Sequence, residues 1–260
     1  MIRSASGAEP GWDGDDHNTS HDEQTVSRSV QSMFDRIAPR YDLLNHVLSA
    51  NVDRIWWRRT AAVFTPILQN PNAVVLDMCC GTGDMTLALL RHRPANAEPL
   101  LALDFSHAML ERAKEKFSTP GFGTRAVVAM EADALHMPIP DDSVHLITTA
   151  FGFRNLANYE AGLREMLRVM RQGAEVGILD FNEPEGLFGR IYNLYFRHVL
   201  PRIGKTLSGS SAPYTYLPHS VQRFPKPGEM LAMMHSCGFT QATWTPYTFG
   251  IAGLYRAVKA

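Results

Sequence analysis

From Val26 to about Phe64, apolar residues recur every three or four positions (Val30, Phe34, Ile37, Tyr41, Leu44, Leu48), the period of an amphipathic helix. Pro39 breaks or kinks this stretch near Ala38. The rhythm then changes. Short apolar runs at Ala73–Asp77, Pro99–Asp104, Ala126–Met130, Val144–Thr149 and Glu175–Phe181 predict five strands. Helical patterns fill the gaps at Met85–Arg91, Ser106–Phe117 and Tyr159–Met170, the last stopped by Gln172-Gly173. Strands apolar on both faces and alternating with helices indicate a parallel sheet covered on both sides.

Beyond Phe181 the pattern is less regular. Leu187–Leu200 is a helix-like run dense in aromatics, and Gly204–Pro218 reads as a polar loop. Pro227–Cys237 is helical and ends at Gly238, a C-cap signal. Two last strands are expected near Thr240–Pro246 and Gly250–Val258. The expectation is an α/β fold: a doubly wound, mostly parallel seven-stranded sheet, with extra N-terminal helices and a helical insertion before the last two strands. One domain spans 26–260, with a helical cap at 26–64, a core at 73–181, and helices and a loop at 185–225.

Composition narrows the class. The 260 residues hold 45% hydrophobic and 20% charged side chains, the balance of an ordinary globular domain. With a net charge of −1, no polybasic character points to nucleic acid. No apolar run approaches the ~18 residues of a membrane span. Residues 1–25 hold Glu9, Asp13, Asp15, Asp16, Asp22 and Glu23 against Arg3 alone, so the rest of the chain is net positive. This tail, poor in aliphatics, is expected to be disordered, and neither a secretory signal nor an organellar transit peptide. Of three cysteines, Cys79 and Cys80 are adjacent and would pair only with strain, so reduced thiols and a cytosolic setting are expected. The ten histidines lack metal-ligand spacing, so no metal is assigned.

The chemistry concentrates at Val75-Leu76-Asp77-Met78-Cys79-Cys80-Gly81-Thr82-Gly83-Asp84, a Gly-x-Gly turn at the carboxyl end of the first strand, where open α/β sheets bind ligands. Asp104 ends the second strand, 21 residues beyond Gly83, where a carboxylate can accept both hydroxyls of a ribose. The third glycine of a dinucleotide fingerprint is missing, its place taken by Thr86. A pyrophosphate would also face Asp77 and Asp84 on either side of the loop. Such acids suit a ligand with a cationic end and no phosphate, which describes S-adenosylmethionine. Adenosine then lies along Gly81, Thr82 and Gly83, with Asp133, after the third strand, accepting from the adenine amino group. The alternative is that Asp77 and Asp84 merely cap the turn and helix.

Val-Leu-Asp…Gly-Thr-Gly-Asp at 75–84, Leu-Asp…Ser-His-Ala-Met-Leu at 103–110 and Ala-Asp-Ala…Met-Pro-Ile-Pro-Asp at 132–141 resemble the motif series of class I methyltransferases. Three further blocks are more specific: 33–45 (MFDRIAPRYDLLN), 151–155 (FGFRN), and 214–220 (YTYLPHS) with Phe224-Pro225. Together they resemble the menaquinone and ubiquinone biosynthesis C-methyltransferases, over about Val26 to Lys259. The resemblance implies methyl transfer from S-adenosylmethionine to a ring carbon of a polyprenylated quinol. It places cofactor contacts on Thr82, Asp104, Asp133 and Ala134. Two departures stand out: Cys79-Cys80 replaces residues that are commonly smaller, and Ala150 stands where the family carries a serine.

Within that reading Arg154 offers a positive charge to the developing phenolate and Asn155 holds a hydroxyl. Tyr41 and Asn45 close over the cofactor and fix a proton-relaying water. A salt bridge from the strand end to a helix is the plainer role for Arg154, and His219 is a weaker candidate base. The 187–205 stretch mixes apolar residues with Arg190, Arg197, Arg202 and Lys205. It suits either a membrane-surface contact or a cover over the sheet. A naphthoquinol is the first-choice acceptor and a benzoquinol the second. Another small phenol or amine, or a non-catalytic scaffold, is the remaining alternative. The apolar late helices would allow a homodimer.

Overall fold

The computed structural model describes residues 28, 30–36, 38, 51–118, 127–184 and 212–260. The acidic tail, Pro39, Tyr41, Asn45 and the aromatic 187–205 stretch lie outside these residues. Seven strands form one sheet: β1 (Val75–Met78), β2 (Leu100–Asp104), β3 (Val127–Glu131), β4 (Val144–Ala150), β5 (Met170–Phe181), β6 (Phe239–Tyr247) and β7 (Ala252–Lys259). Their order is β3-β2-β1-β4-β5-β7-β6. β1 to β5 run parallel, and β7 inserts antiparallel between β5 and β6. The described helices are α1 (Asp53–Val63), α2 (Thr65–Leu68), α3 (Asp84–Leu90), α4 (His107–Phe117), α5 (Tyr159–Val169), α6 (Ala212–Arg223) and α7 (Pro227–Cys237), preceded by a helical segment at 30–36.

The two-residue period of the strands divides the core in two. Val75, Leu146, Leu179 and Leu254 pack with Trp56, Trp57, Phe64 and Leu89 of α1, its C-cap and α3. Their neighbours Leu76, Ile147, Ile178 and Tyr255 pack with Leu163 and Met166 of α5 and Met230 and Met234 of α7. Strands clothed on both faces must be apolar at every position, which explains the unbroken runs in the sequence. Each fully buried side chain of this kind contributes about 1.5–3 kcal/mol.

Caps set the helix ends. Ser106 accepts from the Met109 amide at 3.2 Å and Asn158 from the Ala161 amide at 3.0 Å. Gly238 closes α7 at φ 114°. Two expectations are corrected. Gln172-Gly173 does not stop α5; β5 begins at Met170, and Gly173, at φ 74°, sits where the β4–β5 register shifts. The expected loop up to Pro218 is helical from Ala212, with Pro213 near the helix start, where an amide would have no partner.

Because β2 and β4 flank β1 on opposite sides, the connections leaving β1 and β4 part company at their carboxyl ends. That crevice is the ligand position of doubly wound sheets.

Candidate active site

Three left-handed residues, Cys79 (φ 55°), Gly81 (φ 54°) and Gly83 (φ 86°), turn the chain from β1 into α3. The loop is sewn to β2: the Cys80 amide donates to the Leu103 carbonyl at 2.9 Å and the Gly81 amide to Asp104 Oδ2 at 2.7 Å. Asp104 Oδ1 accepts from the Ser106 amide at 2.9 Å. Burial pushes the Asp104 carboxyl up to about 6, against the lowering effect of its backbone hydrogen bonds and with a further push from Asp35. Gly83 packs closely against Phe117 of α4. A Cβ there would lie 2.5 Å from the Phe117 ring, and Gly83 does not line the cleft.

The acids flanking the loop are engaged by the protein. Asp77 is fully buried and accepts from the Thr86 hydroxyl at 2.6 Å and the Thr148 hydroxyl at 3.0 Å, tying β1 to α3 and β4. Burial lifts its carboxyl to about 7 in spite of these donors. Asp84 accepts from Lys116 Nζ at 3.0 Å, and the same ammonium donates to Thr82 Oγ1 at 2.9 Å. Asp77 and Asp84 both line the cleft, with Lys116 beside Asp84 and two hydroxyls on Asp77.

The cleft above this floor holds about 960 Å³ of empty space, counting space open to solvent. Asp77, Gly81, Thr82, Asp104, Asp133 and Ala134 all line it, with Ala150, Asn155 and the aromatic rings of Phe34, Trp57, Phe105 and Phe151. Asp133 follows β3; one oxygen accepts from the Leu135 amide at 2.9 Å and the side chain is half exposed toward the cleft. Among the described residues no group of His, Cys, Asp and Glu could hold a metal ion.

The far end is the turn after β4. Gly152 must be glycine: a Cβ would fall 2.4 Å from Cys79 Cβ and 3.2 Å from its carbonyl. Phe151, at φ 59°, stacks on Phe181 at 4.4 Å and packs beside Trp56. Asn155 lines the cleft; its Nδ2 donates to the Phe151 carbonyl at 3.3 Å, and Tyr216 of α6 donates to its Oδ1 at 3.0 Å. Arg154 lies behind this wall. It is buried, ion-paired through Nη1 with Asp180 Oδ1 at 2.9 Å, and its amide donates to Asp180 Oδ2 at 3.0 Å. Nη1 also donates to the Phe151 carbonyl. Arg154 does not line the cleft, so its charge is met by Asp180 before any ligand. His219 is exposed on α6 and does not line the cleft either. Sequence reading places Tyr216 in the specific 214–220 block but assigns it no role, because its region reads as a loop.

The ubiE/COQ5 methyltransferase family matches residues 19–259. The chain belongs to this family. The family match makes it an S-adenosylmethionine-dependent methyltransferase. Demethylmenaquinone methyltransferase of Deinococcus radiodurans is 45% identical over 92% of this chain and 95% of that relative. The protein of the same name from Thermus thermophilus is 42% identical over 86% and 98%. A ubiquinone/menaquinone biosynthesis C-methyltransferase of Geotalea daltonii is 41% identical over 88% and 96%. Among solved structures, a SAM-dependent methyltransferase of Aquifex aeolicus superposes with a TM-score of 0.56 at 18% identity, covering 77% of this chain and 89% of that one. The [4+2]-cyclase SpnF reaches 0.57 at 16%, covering 78% and 81%. The fold thus serves more than one reaction, and chemistry must be argued from the site.

Proposed function

We propose that this methyltransferase moves the methyl group of S-adenosylmethionine onto a ring carbon of a polyprenylated quinol, with a naphthoquinol, demethylmenaquinol, as acceptor. The relationship to two proteins named demethylmenaquinone methyltransferase, each more than 40% identical over most of both chains, carries the acceptor. A benzoquinol is the second reading, favoured by the relative whose name spans both pathways.

In this reading Asp104, anchored by two amides, accepts the ribose hydroxyls. Asp133 and Ala134 meet the adenine, and Gly81 and Thr82 border the donor. Asp77 acts one step back, by fixing the loop. When bound, S-adenosylmethionine supplies a methyl group on a good leaving group. The residues of this chain then have to orient the acceptor and accommodate the charge of an ionising phenol.

Asn155 is the group suited to touch that oxygen. The Phe151 carbonyl can only accept, so Nδ2 faces it and Oδ1 faces the Tyr216 hydroxyl. The second Nδ2 hydrogen is left for the cleft. Arg154, paired with Asp180, is a positioning residue: it holds the Phe151 carbonyl and the turn that presents Asn155. Tyr41 keeps its place in the proposal as the proton-relay candidate. A polyprenyl acceptor resides in a bilayer, so the reading also carries a cytoplasmic protein that meets a membrane peripherally.

The test is incubation with methyl-labelled S-adenosylmethionine and two reduced short-chain quinols in detergent. Label is expected in the naphthoquinol. Label confined to the benzoquinol moves the protein to the second reading. Absence of label from both, with donor binding still measurable, overturns quinol methylation.

A further inference from the structure

The ligand cleft has two halves of different character, one on either side of β1. On the β2–β3 side Asp104 and Asp133 follow their strands, and Lys116 of α4 reaches Asp84. On the β4 side the lining is Trp57, Ala150, Phe151, Leu156 and Ala157, around the Asn155 amide. Apart from Asp77 on the dividing strand, no charged side chain among the described residues lines that side. It suits an uncharged, apolar ligand with a hydroxyl for the amide.

Trp57 reaches this half from α1, a helix fastened on the same side. Trp56 Nε1 donates to Thr248 Oγ1 at 2.8 Å, and Thr60 Oγ1 donates to the Tyr247 hydroxyl at 3.4 Å. The Trp56 ring lies 5.8 Å from Phe151 and 6.0 Å from Phe181, at the end of β5. One residue on, about 100° round the helix, Trp57 turns to the cleft. It is buried in the same cluster as Met85 and Phe151. Leu156 comes from the other face of the sheet, where it belongs to the core under α5. This half of the cleft is therefore a slot, with an indole on a pinned helix contributed from one face and aliphatic side chains from the other.

We propose that Trp57 is a specificity-determining residue: its indole is the wall against which the second ring of a fused, bicyclic quinol lies. A flat fused ring placed on an indole gains both apolar burial and ring-to-ring contact. A benzoquinol has no second ring to put there. Because α1 is pinned and Trp57 is packed before any ligand arrives, the wall is preorganised and little ordering is needed on binding. The inference rests on the quinol reading and goes one step further, to the side chain that selects a fused acceptor.

The experiment measures labelled-methyl transfer by wild type, Trp57→Phe and Trp57→Leu to a matched short-chain naphthoquinol and benzoquinol in detergent, beside calorimetric titration with S-adenosylmethionine. Trp57→Leu should raise KM for the naphthoquinol about tenfold and Trp57→Phe about threefold. The benzoquinol, followed by its KM or, where it is not methylated, by its inhibition constant, should change by less than about twofold, since it lacks the ring in contact. Donor affinity should match that of the wild type, which also certifies the fold. Trp57→Phe keeps an aromatic ring in the cluster and carries the test if the leucine variant does not fold. Equal losses for both acceptors would make Trp57 a packing residue and overturn the proposal. So would no loss for either acceptor, or a loss of donor affinity in Trp57→Phe. Wild-type protein that labels neither quinol overturns the quinol reading itself. One that prefers the benzoquinol overturns fused-ring selection and leaves quinol methylation standing.

Discussion

Asp104 is, with Asp77, one of two cleft acids whose carboxyls are raised toward neutrality. Its carboxyl is raised to about 6 chiefly by burial. A protonated acid is a poorer acceptor for a pair of ribose hydroxyls, so donor affinity should climb as pH rises through about 6 and level off above it. Calorimetric titration with S-adenosylmethionine from about pH 5 to about pH 8 measures this. Asp104→Asn should bind more weakly and lose most of the pH dependence. A wild-type profile flat across that range removes the ribose role. Folding moves the opposite way. Since the folded value lies above the unfolded one, this group's contribution to stability is complete at pH below about 4 and is lost as pH rises through about 6. Ligand and fold thus prefer opposite protonation states of one carboxyl. At this scale the strand-end acids were legible in the sequence because each follows an apolar run. Their partners were not: Lys116 lies 32 residues from Asp84 and Asp180 lies 26 from Arg154, distances that no local spacing encodes.

Elements bring those partners together, and α6 does so for the acceptor end. It seats Tyr216 against Asn155, which lies on the turn leaving β4 and lines the cleft. Tyr216→Phe keeps the ring and removes the hydrogen bond, freeing the amide to rotate. The expected result is a fall in kcat of about tenfold, from about 1 kcal/mol of orienting interaction, with donor affinity unchanged. Equal loss in donor binding, or no loss in kcat, would show that the hydroxyl does not orient Asn155 for the role proposed for it. The helix escaped sequence reading because Pro213 and Pro218 look like breakers and the segment is polar. β5 was shortened for a similar reason, as Gly173 signals a stop but serves a register irregularity. The other strands were legible to within two residues; for β1, β2 and β4, cover on both faces leaves no freedom in the apolar runs.

Across the whole molecule, the N-terminal helical segment and the sheet share the ligand cleft. Phe34 lines it and meets Phe105 edge to face at 6.4 Å. Ser106, the N-cap of α4, donates to Asp35 Oδ1 at 2.6 Å, and Gln31 donates to the Phe105 carbonyl. These contacts land on the loop after β2, within two residues of Asp104. Docking of the segment and occupancy of the cleft are therefore coupled: whatever ligand rests against Phe34 also stabilises the 30–36 helix. Hydrogen exchange of amides 30–38 should slow when S-adenosylmethionine is added. Asp35→Ala, which removes the acceptor for Ser106, should abolish most of that protection and weaken donor binding up to about tenfold. Asp35→Asn retains an acceptor oxygen but no charge. It should keep the protection while lowering the pH at which Asp104 titrates, since Asp35 is one of the groups pushing that carboxyl up. Exchange rates indifferent to the donor would mean that the segment rests on the sheet without sensing the cleft. A pH profile unmoved in Asp35→Asn, with protection intact, would leave the mechanical link standing and remove the electrostatic one.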